Sequence, residues 1–370
     1  MSYHSEMNTA GLFGDLLEGY RKMRKLASIQ RVNGVFPISD ADRLELVQVL
    51  GWKCVGGKNE FHVGDLVVYF EIDSFLPICE EFEFLRKNSY KNNEYMGEGF
   101  KLKTMKFRGE ISQGLCLGID KLPKLNGIEL TEGMDVTEIL GVRAWEMPER
   151  VGSSGTIIGD RPGYITKTDE TRIQSAPELL KEFAGLPYYI TTKLDGSSHS
   201  VGVRDDEVSY TGHNFTYKDD GKSSFVEYVK SKGIPEKMEE YAKENEIQSI
   251  VLQGEWCGEG IQKNRLKLKT PEWFVFTARV NDKRTNLDML RAICEYVGCK
   301  MVPVEEEGED LLTKYPDEQA LLTRADGIGY NGTVREGIVI RPKEPVHSYT
   351  LSGPLSMKVI NNKYLIKNDD

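Results

Sequence analysis

Thr191-Thr192-Lys193-Leu194-Asp195-Gly196-Ser197-Ser198 is the stretch on which the reading of this chain turns. The run leading into it, PYYITTKL, is apolar and β-branched, so it predicts a strand, and the Asp-Gly pair after it is a turn signal. A lysine therefore stands where a buried strand gives way to a turn, with a carboxylate two residues on. By itself this also describes a solvated strand end, so the rest of the chain decides.

Three more segments place charge inside apolar strands. Glu255 lies in Leu252-Gln253-Gly254-Glu255-Trp256, Glu336 opens Glu336-Gly337-Ile338-Val339-Ile340-Arg341, and Lys358 lies in Ser356-Met357-Lys358-Val359-Ile360. A carboxylate in a core strand costs several kcal/mol unless it is paired, so a lysine or a metal ion is its natural partner.

Around these segments, residues 175–370 alternate strands with helices. Candidate strands are PYYITTKL, SHSVGVR, EVSYTG, SIVLQGEW, EWFVFTARV, KMVPV, EGIVIRP and LSMKVI, and candidate helices span 225–232, 235–245, 287–297 and 317–324. A capping box, Ser175-Ala-Pro-Glu178, predicts a helix start before Leu179. Arg204-Asp205-Asp206-Glu207 predicts a hairpin, favouring antiparallel α+β sheets flanked by helices over a doubly wound fold. Upstream, residues 26–147 carry five strand-like runs, KLASIQRVNGVF, LELVQVLGWKCV, FHVGDLVVYFEI, FKLKTMKFRGEISQGLCLGI and MDVTEILGVRAW, which fit a small closed barrel. Between them, 148–171 is rich in Gly, Ser, Thr and Pro. The expected division is 1–150, a linker over 151–174, and 175–370.

Composition narrows the class. With 370 residues, two domains are expected. Lys plus Arg number 48 against 58 Asp plus Glu, a net charge of −10, so any polyanion must meet a local basic patch. With 39% hydrophobic and 29% charged residues the chain is globular, and no apolar run is long enough for a membrane span. Its six cysteines show no CxxC pair, which argues against structural zinc; with no signal-like start, an intracellular setting is expected.

Taken together and in order, Lys193-Leu194-Asp195-Gly196, Glu255, Trp273-Phe274-Val275-Phe276, Glu336 and Lys358 resemble the motifs of the covalent nucleotidyltransferases, the polynucleotide ligases and mRNA capping enzymes. The resemblance implies a lysyl-nucleotide intermediate on Lys193. It also implies Lys358 as a catalytic cation and Asp195, Glu255 and Glu336 as holders of Mg²⁺ or Mn²⁺. Glu255 and Thr192 would reach the nucleotide, and Phe276 would stack on adenine. An amine with an unperturbed pKa of ~10.4 costs ~4.6 kcal/mol to deprotonate at pH 7. A nearby cation lowers that cost, and Lys358 and the metal are the candidates.

The branch follows from what surrounds the motifs. Capping enzymes and DNA ligases carry a barrel after the last motif, whereas twelve residues follow Lys358, so the barrel is expected in front. That order is similar to the ATP-dependent nick-sealing RNA ligases of the Naegleria and Deinococcus type, with an N-terminal OB domain. The stretch at 100–115, FKLKTMKFRGEISQGL, resembles part of that domain, and Gly258-Glu259-Gly260-Ile261-Gln262-Lys263-Asn264 resembles their segment after Glu255. The resemblance implies ATP as AMP donor, a broken or nicked RNA as partner and a monomer. Arg172, in Thr168-Asp169-Glu170-Thr171-Arg172-Ile173-Gln174, matches a cation that meets the triphosphate. Two departures stand out: His213 occupies a position where such ligases carry arginine, and Ile360 one where many carry a second lysine, for which Lys363 is the nearest substitute.

Three basic clusters are candidate RNA contacts: Lys263, Arg265, Lys267 and Lys269, which alternate and share a face if extended; Lys101, Lys103, Lys106 and Arg108; and Arg21, Lys22, Arg24 and Lys25. The competing readings are a GTP-dependent capping-type guanylyltransferase, a DNA ligase, and an RNA-binding protein with a decayed ligase domain.

Overall fold

The computed structural model describes residues 24–145 and 155–368. Arg21 and Lys22, and the expected domain boundary near 150, lie outside the described residues.

In the first domain the long strand Ala27–Pro37 does two jobs. Its first half pairs with Leu66–Phe70 and its second with Leu44–Val49, with a register shift between Val32 and Gly34. Such an irregularity bends a strand. The sheet runs Leu115–Gly118, Leu66–Phe70, Ala27–Pro37, Leu44–Val49, Trp52–Gly57, and it curls until the Gln113 N–H bonds the Lys53 carbonyl at 2.8 Å. The expected OB-like barrel is therefore present. Three runs differ from their reading: 44–55 holds two strands joined at Leu50 and Gly51, FKLKTMKFRGEISQGLCLGI holds the end of Gly97–Lys101 and then Met105–Phe107, Glu110–Ser112 and Leu115–Gly118, and MDVTEILGVRAW holds the short helix Thr137–Leu140 and the two-residue strand Arg143–Ala144.

The second domain contains two largely antiparallel sheets. The first runs Ile157–Asp160, Phe215–Tyr217, Glu207–Thr211, Ser197–Arg204, Ser249–Cys257, Glu272–Val280, Lys283–Arg284; the second runs Val304–Gly308, Tyr188–Lys193, Gly337–Pro342, Met357–Ile360. The helices Ser224–Ser231, Ile234–Glu244 and Leu287–Val297 cover one face of the first sheet, burying Val226, Val229, Met238, Leu290 and Ile293 against Val201, Ile250, Leu252 and Val275. Leu179, Phe183, Leu311 and Leu321 cover the second sheet on Ile190, Ile338, Ile340 and Val359. The hairpin at Asp205 and Asp206 forms as read, with φ of 53° and 62°, as a two-residue primed turn requires.

Three local expectations are corrected. KMVPV splits: Lys300–Met301 pairs in parallel with the first sheet, and Val304–Gly308 joins the second. Ile157–Asp160, inside the expected linker, is an edge strand of the first sheet. The Ser175 capping box does not form, because the Ser175 hydroxyl donates to Glu71 of the first domain at 2.7 Å, and the helix Leu179–Glu182 has no side-chain cap. Among the described residues no helix is long and apolar enough to cross a membrane.

Candidate active site

Strand alternation decides what enters the cleft between the two sheets. Tyr188 and Ile190, Ile338 and Ile340, and Met357 and Val359 all lie in the outer core, so Lys193, Arg341 and Lys358 take the opposite face. In the first sheet Ile250, Leu252 and Trp256 face the helices, which turns Glu255 the other way. Lys193 pairs with Gly337, so Glu336, one residue earlier, stands beside it. The Lys193 ammonium donates to Glu336 Oε1 at 2.8 Å and Oε2 at 2.9 Å. Gly196 carries the chain from one sheet to the other. A Cβ there would stand 2.4 Å from the Trp256 carbonyl oxygen and 2.6 Å from Cys257 Sγ, so a side chain has no room.

The charges around Lys193 are mutually dependent. Burial alone would lower its pKa, but Glu336, Glu255 and Asp195 outweigh it and push it up. The ligand-free lysine is thus protonated, opposite to the activated state that the sequence reading sought. Burial drives the Glu255 carboxyl up to about 8 against the pull of Lys193, with Glu336 and Asp195 adding to the rise. Glu255 also accepts the Gly196 N–H at 3.0 Å.

Asp195, Glu255 and Glu336 do not form a cage: among the described residues no group of three such side chains stands ready to hold a metal ion. Glu336 is engaged by Lys193, and Asp195 Oδ2 accepts from Arg265 and from the Tyr364 hydroxyl, each at 2.6 Å. The donor set still fits a hard divalent cation. It consists of carboxylate oxygens, one of them kept protonated near neutrality chiefly by burial, and Mg²⁺ keeps much of its water and needs few protein ligands.

Lys358 comes from Met357–Ile360, on the far side of Gly337–Pro342 from Lys193. Burial, then Arg172, Lys193 and Arg24, bring its pKa down to about 8. Its N–H bonds the Thr171 carbonyl at 2.8 Å, and Arg172, next along, reaches Asp73 of the first domain at 2.9 Å. Arg24 joins the same carboxylates, at 2.5 Å from Glu71 and 3.9 Å from Asp73. An interdomain ion network therefore lies directly behind the second lysine.

Phe276 is displaced from its ladder. Gln253 pairs with Thr277 and Gly254 with Val275, so Phe276 is a bulge residue without a partner opposite. The bulge changes the alternation: Trp273, Val275 and Ala278 pack on the helices, while Phe274 and Phe276 join Leu194, Cys257 and Leu266 on the cleft side. Bulges recur beside active sites because they re-aim a side chain.

Thr192 does not offer its hydroxyl to the cleft. It donates to Glu305 at 2.6 Å, and Glu305 also binds Arg335 and Arg324. One carboxylate thus fixes the residues preceding both Lys193 and Glu336. Sequence reading missed Glu305, Arg335, Arg341 and Tyr364. For Arg341 a signal was present, a charged residue at the end of the apolar run GIVIRP.

Other candidates lie elsewhere or behave differently. The stretch 261–269 is not extended: Gln262, Asn264 and Lys267 have φ of 47°, 41° and 54°, so Lys263, Arg265, Lys267 and Lys269 share no ridge, and Arg265 turns inward to Asp195. Lys101 is buried, 5.5 Å from the Trp145 ring centroid, and Arg108 donates to the Asp40 carbonyl. Lys106 is exposed on the hairpin Met105–Phe107 and Glu110–Ser112, and Lys103 is half-buried just before it. Lys363 is exposed and bonded to Asp326 at 2.5 Å, so it does not replace a second cleft lysine. His213 stands 3.7 Å from Asp169.

A lysine on a KxDG turn, seated in a cleft between two antiparallel sheets and preceded by a curled OB sheet, defines the ligase class of the nucleotidyltransferases. Comparison with known proteins gives the same result. An RNA ligase family profile matches residues 186–360, and an OB-fold domain profile matches 26–119. No curated protein matches the sequence. Among solved structures, Naegleria gruberi RNA ligase with PPi is 33% identical, with a TM-score of 0.82 over 94% of this chain and 100% of that one. A mutant of that enzyme with ATP and Mn is 32% identical, with a TM-score of 0.82 over 93% of this chain and 99% of that one. A second mutant, with AMP and Mn, is 32% identical with a TM-score of 0.83 over 94% and 100%. The chain belongs to the RNA ligase family and is an ATP-dependent RNA ligase.

Proposed function

We propose that the chain seals breaks bearing a 3′-hydroxyl and a 5′-phosphate in three transfers, with Lys193 as the nucleophile. The observation that carries this reading is the amine of Lys193 held between both oxygens of Glu336, with Lys358 on the strand paired with Gly337–Pro342. In the first transfer the Lys193 nitrogen, having lost its proton, bonds the α-phosphorus of ATP as the bond to pyrophosphate breaks. In the second, an oxygen of the RNA 5′-phosphate takes the AMP, the phosphorus–nitrogen bond breaks and Lys193 recovers a proton. In the third, the 3′-hydroxyl attacks the activated 5′-phosphorus and AMP leaves.

The residues divide these tasks. Glu336 holds the amine in place and, when its charge is shared with an incoming cation, loosens its hold on the proton. Lys358, half-buried and with its pKa brought down to about 8, still carries the charge at neutral pH that stabilises negative charge on the transferred phosphate. Phe276 offers its displaced ring to adenine, and Arg172 supplies a cation for the leaving pyrophosphate. Asp195, Glu255 and Glu336 would hold Mg²⁺ or Mn²⁺, mostly through water; the ion supplies charge neutralisation at the phosphates. The solved relatives with ATP and Mn support this choice of donor and metal. Residues 26–119 serve as the OB-like unit, the two-sheet unit, with Ile157–Asp160 at the edge of its first sheet, serves as the catalytic unit, and the enzyme works inside the cell as a monomer. Lys106, Lys263, Lys267 and Lys269, all exposed, are the candidate RNA contacts.

Nicked duplexes carrying RNA or DNA on either side of the break test the substrate. Joining of the RNA nick with ATP is expected. Transfer of GMP from GTP to a 5′-diphosphate end without joining would instead favour the capping reading, and equal joining of an all-DNA nick the DNA ligase.

A further inference from the structure

Arg341 lies on the face of its strand opposite Ile338 and Ile340. Its side chain is 6% exposed. Nη1 donates to the Phe276 carbonyl at 2.5 Å and to Thr277 Oγ1 at 3.1 Å, and Nη2 donates to Glu170 Oε1 at 2.7 Å. Glu170 lies in the connecting segment. It also accepts from the Ser356 hydroxyl and stands 3.9 Å from Arg284.

Two features make this more than a buried ion pair. First, the accepting carbonyl belongs to the bulge residue, and a bulge disrupts the ladder locally, leaving groups that must find other partners. Second, Arg341 belongs to the other sheet, paired with Tyr189 on the strand that ends in Lys193. Its guanidinium carbon lies 5.9 Å from the Phe276 ring centroid. One side chain therefore ties the displaced ring to the nucleophile's strand, beside the backbone bridge in which the Val302 N–H bonds the Val275 carbonyl and the Thr192 N–H bonds the Pro303 carbonyl. A buried guanidinium is costly unless paired, and an apolar residue could fill the space without that cost. The planar fork holds the carbonyl and the carboxylate in fixed directions, whereas a lysine on the same stem offers one compact charge with rotatable donors.

We propose that Arg341 is a positioning residue for the nucleotide: anchored by Glu170, it holds the bulge carbonyl of Phe276 and so fixes the base-stacking ring relative to the strand that carries Lys193. This rests on the reading of Phe276 as the adenine contact, and the test separates the two. Single-turnover formation of the lysyl-adenylate is followed against ATP concentration for the wild type, Arg341→Lys, Phe276→Ala and the double variant, with thermal melting of each. Arg341→Lys raises half-saturating ATP at least tenfold and lowers the limiting rate by less than threefold. In the Phe276→Ala background the same change adds less than threefold, because there is no ring left to position. A full tenfold effect in that background would overturn the role of Arg341. An unchanged half-saturation in Phe276→Ala itself would overturn the reading of Phe276. If Arg341→Lys melts too low to assay, Glu170→Gln, which keeps the shape of the anchor, is taken through the same cycle: coupling to Phe276 supports the proposal, and its absence overturns it.

Discussion

Lys193 must be held by negative charge and yet lose its proton, and its surroundings supply both conditions at different times. Glu336, Glu255 and Asp195 keep it charged in the ligand-free enzyme. Removing Glu336 therefore leaves an amine that is easier to deprotonate but badly placed, and placement wins, since misalignment by about an ångström can cost on the order of 10²-fold. We predict that Glu336→Ala slows lysyl-adenylate formation at least 100-fold in a labelled-ATP assay; near-normal labelling would contradict its role. Chelation with EDTA stops the same reaction, because a divalent cation must neutralise the triphosphate where it meets Asp195, Glu255 and Glu336; full labelling in EDTA would remove the metal from the account. Gly196→Ala pushes a methyl against the Trp256 carbonyl and costs about 1–3 kcal/mol of stability by urea unfolding. The charged residues in apolar strands were legible in the sequence because they break a pattern. Glu305 and Tyr364 were not, because each reaches the site from a segment over 100 residues from Lys193 that shows nothing unusual alone.

At the scale of elements, periodicity carried most of the information. Leu287–Val297 coincides with its reading, capped by the Asn286 side chain and ended by Gly298 at φ 78°. Failures came where a distant partner decides. The Ser175 hydroxyl prefers Glu71 in another domain to its own helix, and the Phe276 bulge arises from register against Ser249–Cys257. The basic stretch 263–269 alternates in sequence, but left-handed φ values break the alternation in space. The strand Ser197–Arg204 carries a pH sensitivity. His199 is buried beside Tyr217 and Phe225, and burial lowers its pKa to about 4. With the folded pKa below the unfolded value of about 6.5, the unfolded chain binds the proton first. The stability is whole above pH ~6.5 and falls, by about 3 kcal/mol in total, as pH drops toward 4. Unfolding midpoints of the wild type and His199→Gln across that window should converge at low pH; parallel curves would contradict the assignment.

Across the whole molecule, the OB domain touches the chemistry through Asp73 and Arg172, immediately behind Lys358. Pyrophosphate leaves only in the first transfer, so a cation serving it matters there and not in the last. We predict that Arg172→Ala slows lysyl-adenylate formation at least tenfold while slowing the joining of a nick already carrying a 5′-adenylate by less than threefold; the reverse order would make the first domain an RNA clamp. The central claim, that AMP passes through Lys193 on its way to RNA, is tested most directly by peptide mapping of the enzyme after reaction with α-labelled ATP and divalent metal, followed by a chase with nicked RNA. The account predicts label on the peptide containing Lys193, loss of that label as it moves to the RNA 5′ end, and none in Lys193→Ala. Label on a different lysine, or sealing by the Lys193→Ala enzyme with ATP, would contradict it.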